Sequence, residues 1–215
     1  MRRGSLHYLI VPGWHGSPED HWQSHWQRTL PSSQRIEQAD WLAPQRPDWV
    51  AELQRGIATA SEPVVLIAHS LGCATVAHWA AQAAPDALRR VRGALLVAPA
   101  DVERPGCPEP LRNFAPLPLA PLPFPSVLVG SDNDQAASAE RACALGQAWG
   151  SEVSVLSGVG HINVASGHHR WEEGLGFLNR LQALMNKQDG ELDSVRAMGR
   201  VTLLLSVYRH RSVDR

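Results

Sequence analysis

The fold is decided by residues 64–74, VVLIAHSLGCA. Five consecutive apolar residues at 64–68 are typical of a strand that is buried on both faces, and the small residues after Ser70 are typical of a helix packed closely on it. A serine at such a turn can project its hydroxyl above the edge of a sheet. The usual pattern is G-x-S-x-G, and here Ala68 replaces the first glycine. We therefore predict a nucleophile at Ser70; the alternative is a serine that only caps a helix.

Short apolar segments alternate with helical segments on both sides of this stretch. Strands are predicted at residues 7–11, 34–39, 64–68, 94–98, 126–129 and 153–156. Helices are predicted at residues 24–30, 49–60 with Asp48 as N-cap, 71–84, 139–149 between Ser138 and Gly150, and 172–185. Because the strands are apolar throughout, the sheet must be covered on both faces. The pattern indicates an α/β three-layer sandwich with a mostly parallel sheet of about six strands.

The composition is that of one large domain. The chain has 215 residues, of which 44% are hydrophobic and 19% charged, enough to bury a core. We assign residues 1–185 to this domain and residues 186–215 to a C-terminal extension, either poorly ordered or an added edge strand. Twenty basic and 21 acidic residues give a net charge of −1, which argues against a nucleic-acid partner. A membrane span requires about 20 apolar residues, and no run of that length occurs.

Cysteine usage and the first residues favour a cytoplasmic protein. The three cysteines are odd in number and have no CxxC spacing, so free thiols in a reducing compartment are expected. The start, Met1-Arg2-Arg3, has the charge of a secretion signal, but the apolar segment after it contains His7 and leads to no small-residue cleavage site.

A serine nucleophile needs a base, and the base needs an acid that holds its tautomer. The order expected in this type of fold is Ser, then Asp or Glu, then His. His161 lies in a glycine-rich loop, SGVGHIN, after the last predicted strand, and we select it as the base. The acid is Asp134 or Asp132, both just after the preceding strand, with Asp101 in reserve. We prefer Asp134, which has more loop with which to reach His161, and expect Asp132 to bind backbone N–H groups of residues 131–133.

Two backbone N–H groups must stabilise the oxyanion of an acyl transfer reaction. One is expected from Leu71, directly after the nucleophile. The other is expected from the loop PGWHG at residues 12–16, from Trp14 or His15. No metal site is expected, because His21 and His25 have helical i,i+4 spacing but no third ligand. No GxGxxG or Walker loop is present, so the phosphate-binding loop of a nucleotide-binding fold is missing.

Residues 105–125 contain eight of the chain's 16 prolines. So many fixed φ angles and missing N–H groups exclude a regular helix or a central strand. The segment is either a tolerated insertion or a functional loop. In the second case we expect it to border the substrate entrance, because it follows a strand that ends at the same edge of the sheet as Ser70.

Several motifs in order carry a resemblance to a known family. They are VPGWHGS, HW after Asp20, EQADW, AHSLG, LLVAPADVE, the segment from Val129 through Asp134 to Ala142, and GHINVASG followed by Trp171. From about residue 9 to about residue 184 the chain resembles the small α/β-hydrolase-like serine hydrolases related to retinoblastoma-binding protein 9, especially the bacterial members.

The resemblance implies a minimal α/β-hydrolase fold without a large cap domain and without a cofactor. It maps the nucleophile to Ser70, the acid to Asp134 and the base to His161. The family often has a proline after its acid, where this chain has Gln135. We expect a serine hydrolase that acts on a small ester, or on an amide. The alternatives are a binding or regulatory module with little turnover, and an enzyme that transfers the acyl group to an acceptor other than water.

Overall fold

The computed structural model describes the backbone of residues 5–211 and the side chains of residues 5–191 and Ser194. Six strands form one parallel sheet in the order β2-β1-β3-β4-β5-β6. The strands are β1 (His7–Val11), β2 (Ser33–Arg35), β3 (Val64–His69), β4 (Val91–Val97), β5 (Ser126–Ser131) and β6 (Glu152–Leu156). The predicted parallel sheet of about six strands is confirmed.

Helices cover both faces of this sheet, as the apolar strands require. They are α1 (Trp22–Thr29), α2 (Arg46–Thr59), α3 (Leu71–Gln82), α4 (Pro85–Leu88), α5 (Ala139–Trp149) and α6 (Gly174–Arg211), with short 3-10 turns at Glu109–Phe114 and Val164–Ser166. One core joins α2, α3 and α5 to strand residues such as Leu66 and Leu128. The other joins α1 and α6 to Ile67 and Val127. The three-layer sandwich is therefore confirmed.

The predicted bounds of α2 and β2 differ from those observed. Helix α2 begins at Arg46, with Gln45 as its N-cap, and Asp48 lies inside its first turn. Proline at the start of a helix is well tolerated because its missing N–H would have no partner there, so Pro47 does not delay the helix. Strand β2 is shorter than predicted and lies at the edge of the sheet, where a polar sequence gives little signal.

The C-terminal extension is not an edge strand. The backbone of α6 continues without a break through residue 186 to Arg211, so the extension is helical up to that residue. Residues such as Lys187, Gln188 and Glu191 favour a helix, and the single Gly190 does not interrupt it. The Met1-Arg2-Arg3 start lies outside the described residues. Among the residues described, no helix has both the length and the apolar character that a membrane crossing requires.

The proline-rich segment after β4 packs on the face of the sheet that α2, α3 and α5 cover. Leu111, Phe114 and Leu117 are buried in the core of that face. The Asn113 side chain accepts from Arg46 N and donates to Pro44 O, which fixes the segment to the loop before α2. Arg104, the residue directly before this segment, lines the depression beside His161. The expectation that this segment borders a substrate entrance stays a prediction.

Because all six strands are parallel, their carboxyl ends lie along one edge of the sheet. The loop PGWHG leaves β1 there, Ser70 follows β3, Asp132 and Asp134 follow β5, and the loop with His161 follows β6. The order β1-β3-β4-β5-β6 therefore places the loops from distant parts of the chain side by side.

Candidate active site

Ser70 occupies the sharp turn between β3 and α3. Its φ of 54° and ψ of −120° are a strained conformation for a residue with a side chain. The turn is possible because two glycines leave room for it. A Cβ on Gly13 would lie 2.7 Å from Ser70 Cβ, and one on Gly72 would lie 2.3 Å from Val11 O. The strand, the strained serine and the small residues around it have the geometry of a nucleophile elbow.

Ser70, His161 and Asp134 form one hydrogen-bonded row. His161 Nε2 lies 2.9 Å from Ser70 Oγ. On the other side of the ring, His161 Nδ1 lies 2.8 Å from Asp134 Oδ2 and 3.0 Å from Oδ1. The Asp134 side chain is 2% exposed and that of His161 is 22% exposed, so the ring is open to solvent while its carboxylate partner is not. The carboxylate also accepts from Ala136 N.

Asp132 is bound to the loop that carries His161. Its carboxylate accepts from Gly158 N at 2.8 Å and from the Ser157 hydroxyl at 2.7 Å. These bonds, first that from Gly158, lower the pKa of Asp132. Next to it, Asn133 Oδ1 accepts from Gly160 N. The expected bonds to N–H groups of its own turn are a minor part of its surroundings, because its main donors, the Gly158 N–H and the Ser157 hydroxyl, lie on the facing loop.

The loop around His161 has an unusual backbone. Gly158 and Gly160 have φ values of 73° and 59°, which glycine adopts without strain. Ile162 also has a positive φ, of 46°, although it is β-branched. Its side chain is fully buried in the core shared with α1 and α6.

Two side chains from other elements bind the carbonyl groups on either side of that strained residue. His69 Nε2 lies 2.9 Å from His161 O, and Trp22 Nε1 donates to Ile162 O at 2.9 Å. Sequence reasoning had assigned no role to either residue. His69 is the variable residue of the AHSLG motif, and Trp22 belongs to the HW motif. Neither motif predicts which carbonyl group the side chain binds.

The imidazoles of His21, His69 and His161 lie in a row, with ring centroids 5.0 and 4.9 Å apart. Burial, and then the positive charge of Arg35, lower the pKa of His21 to about 4. Burial lowers the pKa of His69 well below its usual range, and the neighbouring His161 and His21 act in the same direction. Two neutral imidazoles therefore lie behind the solvent-accessible one.

Two backbone N–H groups, one directly after Ser70 and one directly after Gly13, which lies against Ser70, have no acceptor among the described residues. They belong to Leu71, at the first position of α3, and to Trp14 in the loop after β1. The N–H of His15, the alternative donor, is bound to Trp41 O at 3.1 Å. The N-terminus of α3 adds its partial positive charge at the same point.

The other sequence candidates lie elsewhere. Asp101 pairs with Arg141 at 3.2 Å. His78 Nε2 binds Phe114 O at 2.7 Å, away from Ser70. His21 Nδ1 accepts from Gln23 N and so caps α1. Among the described residues, no cluster of His, Cys, Asp and Glu could hold a metal ion.

A polar depression of about 430 Å³ lies beside His161 and is bounded by Arg104, Gln135 and Asn163. A larger one of about 720 Å³ lies between α2 and α3 around His78. The lining of the larger depression includes His78 but no Ser, Thr, Cys, Asp or Glu, so we assign the chemistry to the strand ends, where Ser70 and His161 meet.

Two comparisons with known proteins gave matches. A family model described as serine hydrolase matches residues 8–180. A YdeN-like hydrolase from Pectobacterium atrosepticum is 35% identical and superimposes with a TM-score of 0.71, covering 85% of this chain and 91% of that chain. A comparison with curated protein sequences gave no match.

More distant structures show the fold alone. The ydeN gene product of Bacillus subtilis is 18% identical, with a TM-score of 0.67 over 83% of this chain and 99% of that chain. Est1E from Butyrivibrio proteoclasticus, with ferulic acid bound, is 14% identical, with a TM-score of 0.59 over 81% and 89%.

Proposed function

The chain belongs to the serine hydrolase family, and on that premise we propose that it cleaves a small carboxylic ester, or an amide, through an acyl-enzyme on Ser70. One observation carries the proposal: the continuous row of hydrogen bonds from Ser70 Oγ through His161 to Asp134. A hydroxyl is a poor nucleophile near neutral pH, and a neutral imidazole 2.9 Å away is within reach of its proton.

The reaction proceeds in two halves. Ser70 Oγ attacks the substrate carbonyl carbon while His161 Nε2 takes the hydroxyl proton, and the carbonyl oxygen becomes an oxyanion. When the tetrahedral intermediate collapses, the bond to the leaving group breaks and His161 returns the proton to the departing alcohol or amine. A water molecule then repeats the sequence on the acyl-enzyme, releasing the acid and restoring Ser70.

Asp134 acts through His161. Its carboxylate accepts from Nδ1–H, which leaves Nε2 unprotonated and facing Ser70. It also stabilises the imidazolium that forms when the serine proton is taken up. Because Asp134 is buried and that imidazolium is only partly exposed, the attraction between them is screened less than in bulk water.

The backbone N–H groups of Leu71 and Trp14 are the proposed oxyanion donors. Leu71 follows Ser70 and Trp14 follows Gly13, which lies against Ser70, and neither N–H has an acceptor among the described residues. The N–H of His15 is less suitable because it already donates to Trp41 O. Preorganised donors of this kind stabilise the transition state without any rearrangement during the reaction.

Within the family, we propose that the chain is one of the bacterial relatives of retinoblastoma-binding protein 9, on the motifs quoted above. A cytoplasmic, reducing setting is part of the proposal, and three free cysteines support it. No nucleic-acid or membrane partner is proposed.

The test is labelling with a fluorophosphonate probe, together with hydrolysis of short-chain esters. Wild-type protein is expected to be labelled, and Ser70→Ala to lose labelling and about 10⁶-fold in kcat. Ser61→Ala, in an exposed bend, is the matched control and should behave as wild type. An unlabelled wild type would favour the binding or regulatory module, and product analysis with an added alcohol would distinguish acyl transfer from hydrolysis.

A further inference from the structure

The two carbonyl groups beside the strained residue Ile162 are each bound by a buried side chain. His69 Nε2 contacts His161 O and Trp22 Nε1 contacts Ile162 O, both at 2.9 Å. A carbonyl oxygen only accepts, so both rings must act as donors. These contacts join residues that are 92 and 140 positions apart in the chain.

The conformation of the loop needs such contacts. A β-branched residue at a φ of 46° is strained, and strain of this kind persists only where the surroundings hold it in place. Ile162 is fully buried, and His69 is 5% exposed, so both lie where solvent cannot replace a lost protein hydrogen bond. Relaxation of Ile162 would rotate the peptide group that follows His161 and move its imidazole.

We propose that His69 is a positioning residue, which holds the His161 carbonyl so that the His161 ring stays within reach of Ser70. Trp22 holds the next peptide group, through the Ile162 carbonyl. The proposal rests on the function proposed above. Its physical basis is that His69 and Ser70 are adjacent at the end of β3, so the nucleophile and the group that holds the base are carried by one rigid strand end.

The protonation state of His69 is consistent with this role. Its Nε2 must carry a hydrogen to donate, and a single proton on the ring leaves it neutral. Burial strongly favours the neutral form by lowering the pKa. A positive charge on His69 would oppose the imidazolium of His161, because the two ring centroids are only 4.9 Å apart.

Three variants test the proposal. His69→Phe keeps a planar ring and removes the donor, whereas His69→Gln places an amide N–H near the position of Nε2. The control is His78→Phe, because His78 also binds a main-chain carbonyl, at 2.7 Å, but on the far side of α3. The measurements are kcat and KM for p-nitrophenyl acetate, the unfolding midpoint in urea, and hydrogen exchange of residues 157–167.

We expect His69→Phe to lower kcat about 10- to 100-fold with little change in KM, because a displacement of about 1 Å at a catalytic group has an effect of that size. Exchange of residues 157–167 should be faster in the same variant. His69→Gln should recover most of the kcat and most of the slow exchange of the loop. His78→Phe should match wild type in kcat and in exchange. If His69→Phe does not fold, His69→Asn replaces it, because its shorter amide does not reach the carbonyl.

Two results would overturn the proposal. One is a His69→Phe protein with wild-type kcat and wild-type exchange of the loop. The other is a His69→Gln protein that is as impaired as His69→Phe although both are equally stable. If wild type itself neither hydrolyses esters nor reacts with the fluorophosphonate, the proposed function fails, and the exchange measurement alone decides whether His69 positions the loop.

Discussion

Asp132 and Asp134 are two residues apart, yet they bind different parts of one loop. Asp134 accepts from the ring of His161, and Asp132 accepts from the main chain of Gly158 before it. Their substitution by asparagine should therefore have different effects. We expect Asp134→Asn to lower kcat about 10⁴-fold, because an amide N–H facing Nδ1 favours the wrong tautomer of His161.

Asp132→Asn serves as the comparison. Its amide oxygen can still accept from Gly158, so a much smaller loss of kcat is expected, accompanied by some loss of stability. The kcat values of the two variants, measured by steady-state kinetics at the same pH, are then compared. A severe loss in Asp132→Asn together with a nearly intact Asp134→Asn would reverse the assignment of the acid.

His21 gives a prediction about pH and stability. Its pKa is about 4 in the folded chain, against 6.5 for an unperturbed histidine. As the pH falls below 6.5, the unfolded chain therefore takes up a proton before the folded chain does, and the free energy of unfolding decreases. The decrease is complete below pH 4, where both states are protonated. A shift of this size corresponds to about 3 kcal/mol.

His21→Asn removes the titrating group and keeps a side-chain acceptor at the N-cap of α1. We expect the variant to lose about 3 kcal/mol less stability than wild type between pH 6.5 and 4. Urea denaturation at several pH values in that interval measures the difference. Identical pH dependence in the two proteins would mean that His21 is not held in its neutral form.

At the scale of elements, the contact of α3 with the end of β1 determines whether the elbow can form. A Cβ on Gly72 would lie 2.3 Å from Val11 O and 2.8 Å from Pro12 O, both main-chain atoms. These main-chain atoms, at the end of a strand inside the sheet, can move away only at a large cost in free energy. We therefore expect Gly72→Ala to reduce the free energy of unfolding by about 3 kcal/mol.

Gly176→Ala in α6 is the control for that change, because a Cβ there meets nothing within 4 Å. Alanine in a helix is more favourable than glycine by up to about 1 kcal/mol, so this variant should equal or exceed wild type in stability. Chemical denaturation of both proteins tests the pair. Equal stability of Gly72→Ala and wild type would mean that α3 can move away from β1.

The elements that could be predicted from the sequence are those with strong local signals. The central strands are continuous apolar runs, and α5 has its predicted bounds because Ser138 caps it and Gly150, with φ of 69°, ends it. Strand β2 was misplaced because an edge strand of Ser33–Arg35 has no apolar pattern. The start of α2 was misplaced because Asp48 resembles an N-cap although it lies in the first turn.

The candidate site was predictable to a similar extent. Ser70 and His161 could be proposed from the sequence because each follows a strand within a recognisable motif. The distance between them could not be derived, because residues 91 positions apart give no local signal of contact. The contact of His69 with His161 O was missed for the same reason.

At the scale of the whole molecule, α6 closes one face of the sheet. Leu178, Leu181 and Met185 belong to the core of that face and are almost fully buried. Farther along the helix, Asp189 pairs with Arg92 on β4, but this pair is partly exposed, with 47% of the Asp189 side chain and 33% of the Arg92 side chain accessible. Exposed ion pairs contribute at most about 1 kcal/mol.

The position of these contacts predicts where the chain can be shortened. A chain that ends after Met185 keeps the apolar contacts and loses only the exposed ion pair among the described contacts with the sheet. We expect it to fold and to be labelled by a fluorophosphonate like the full chain, within about 1 kcal/mol in stability. A chain that ends after Arg180 also loses Leu181 and Met185, each worth about 1.5–3 kcal/mol when buried.

Urea denaturation of the two shortened chains beside the full chain tests the assignment of residues 1–185 as the hydrolase domain. The chain ending at Arg180 should unfold at much lower urea concentration, since Leu181 and Met185 belong to the core that also contains Ile67 and Val127. If the chain ending at Met185 is as unstable as the shorter one, residues beyond 185 are part of the domain. If both shortened chains are as stable as the full chain, the helical turn at residues 181–185 does not stabilise the sheet.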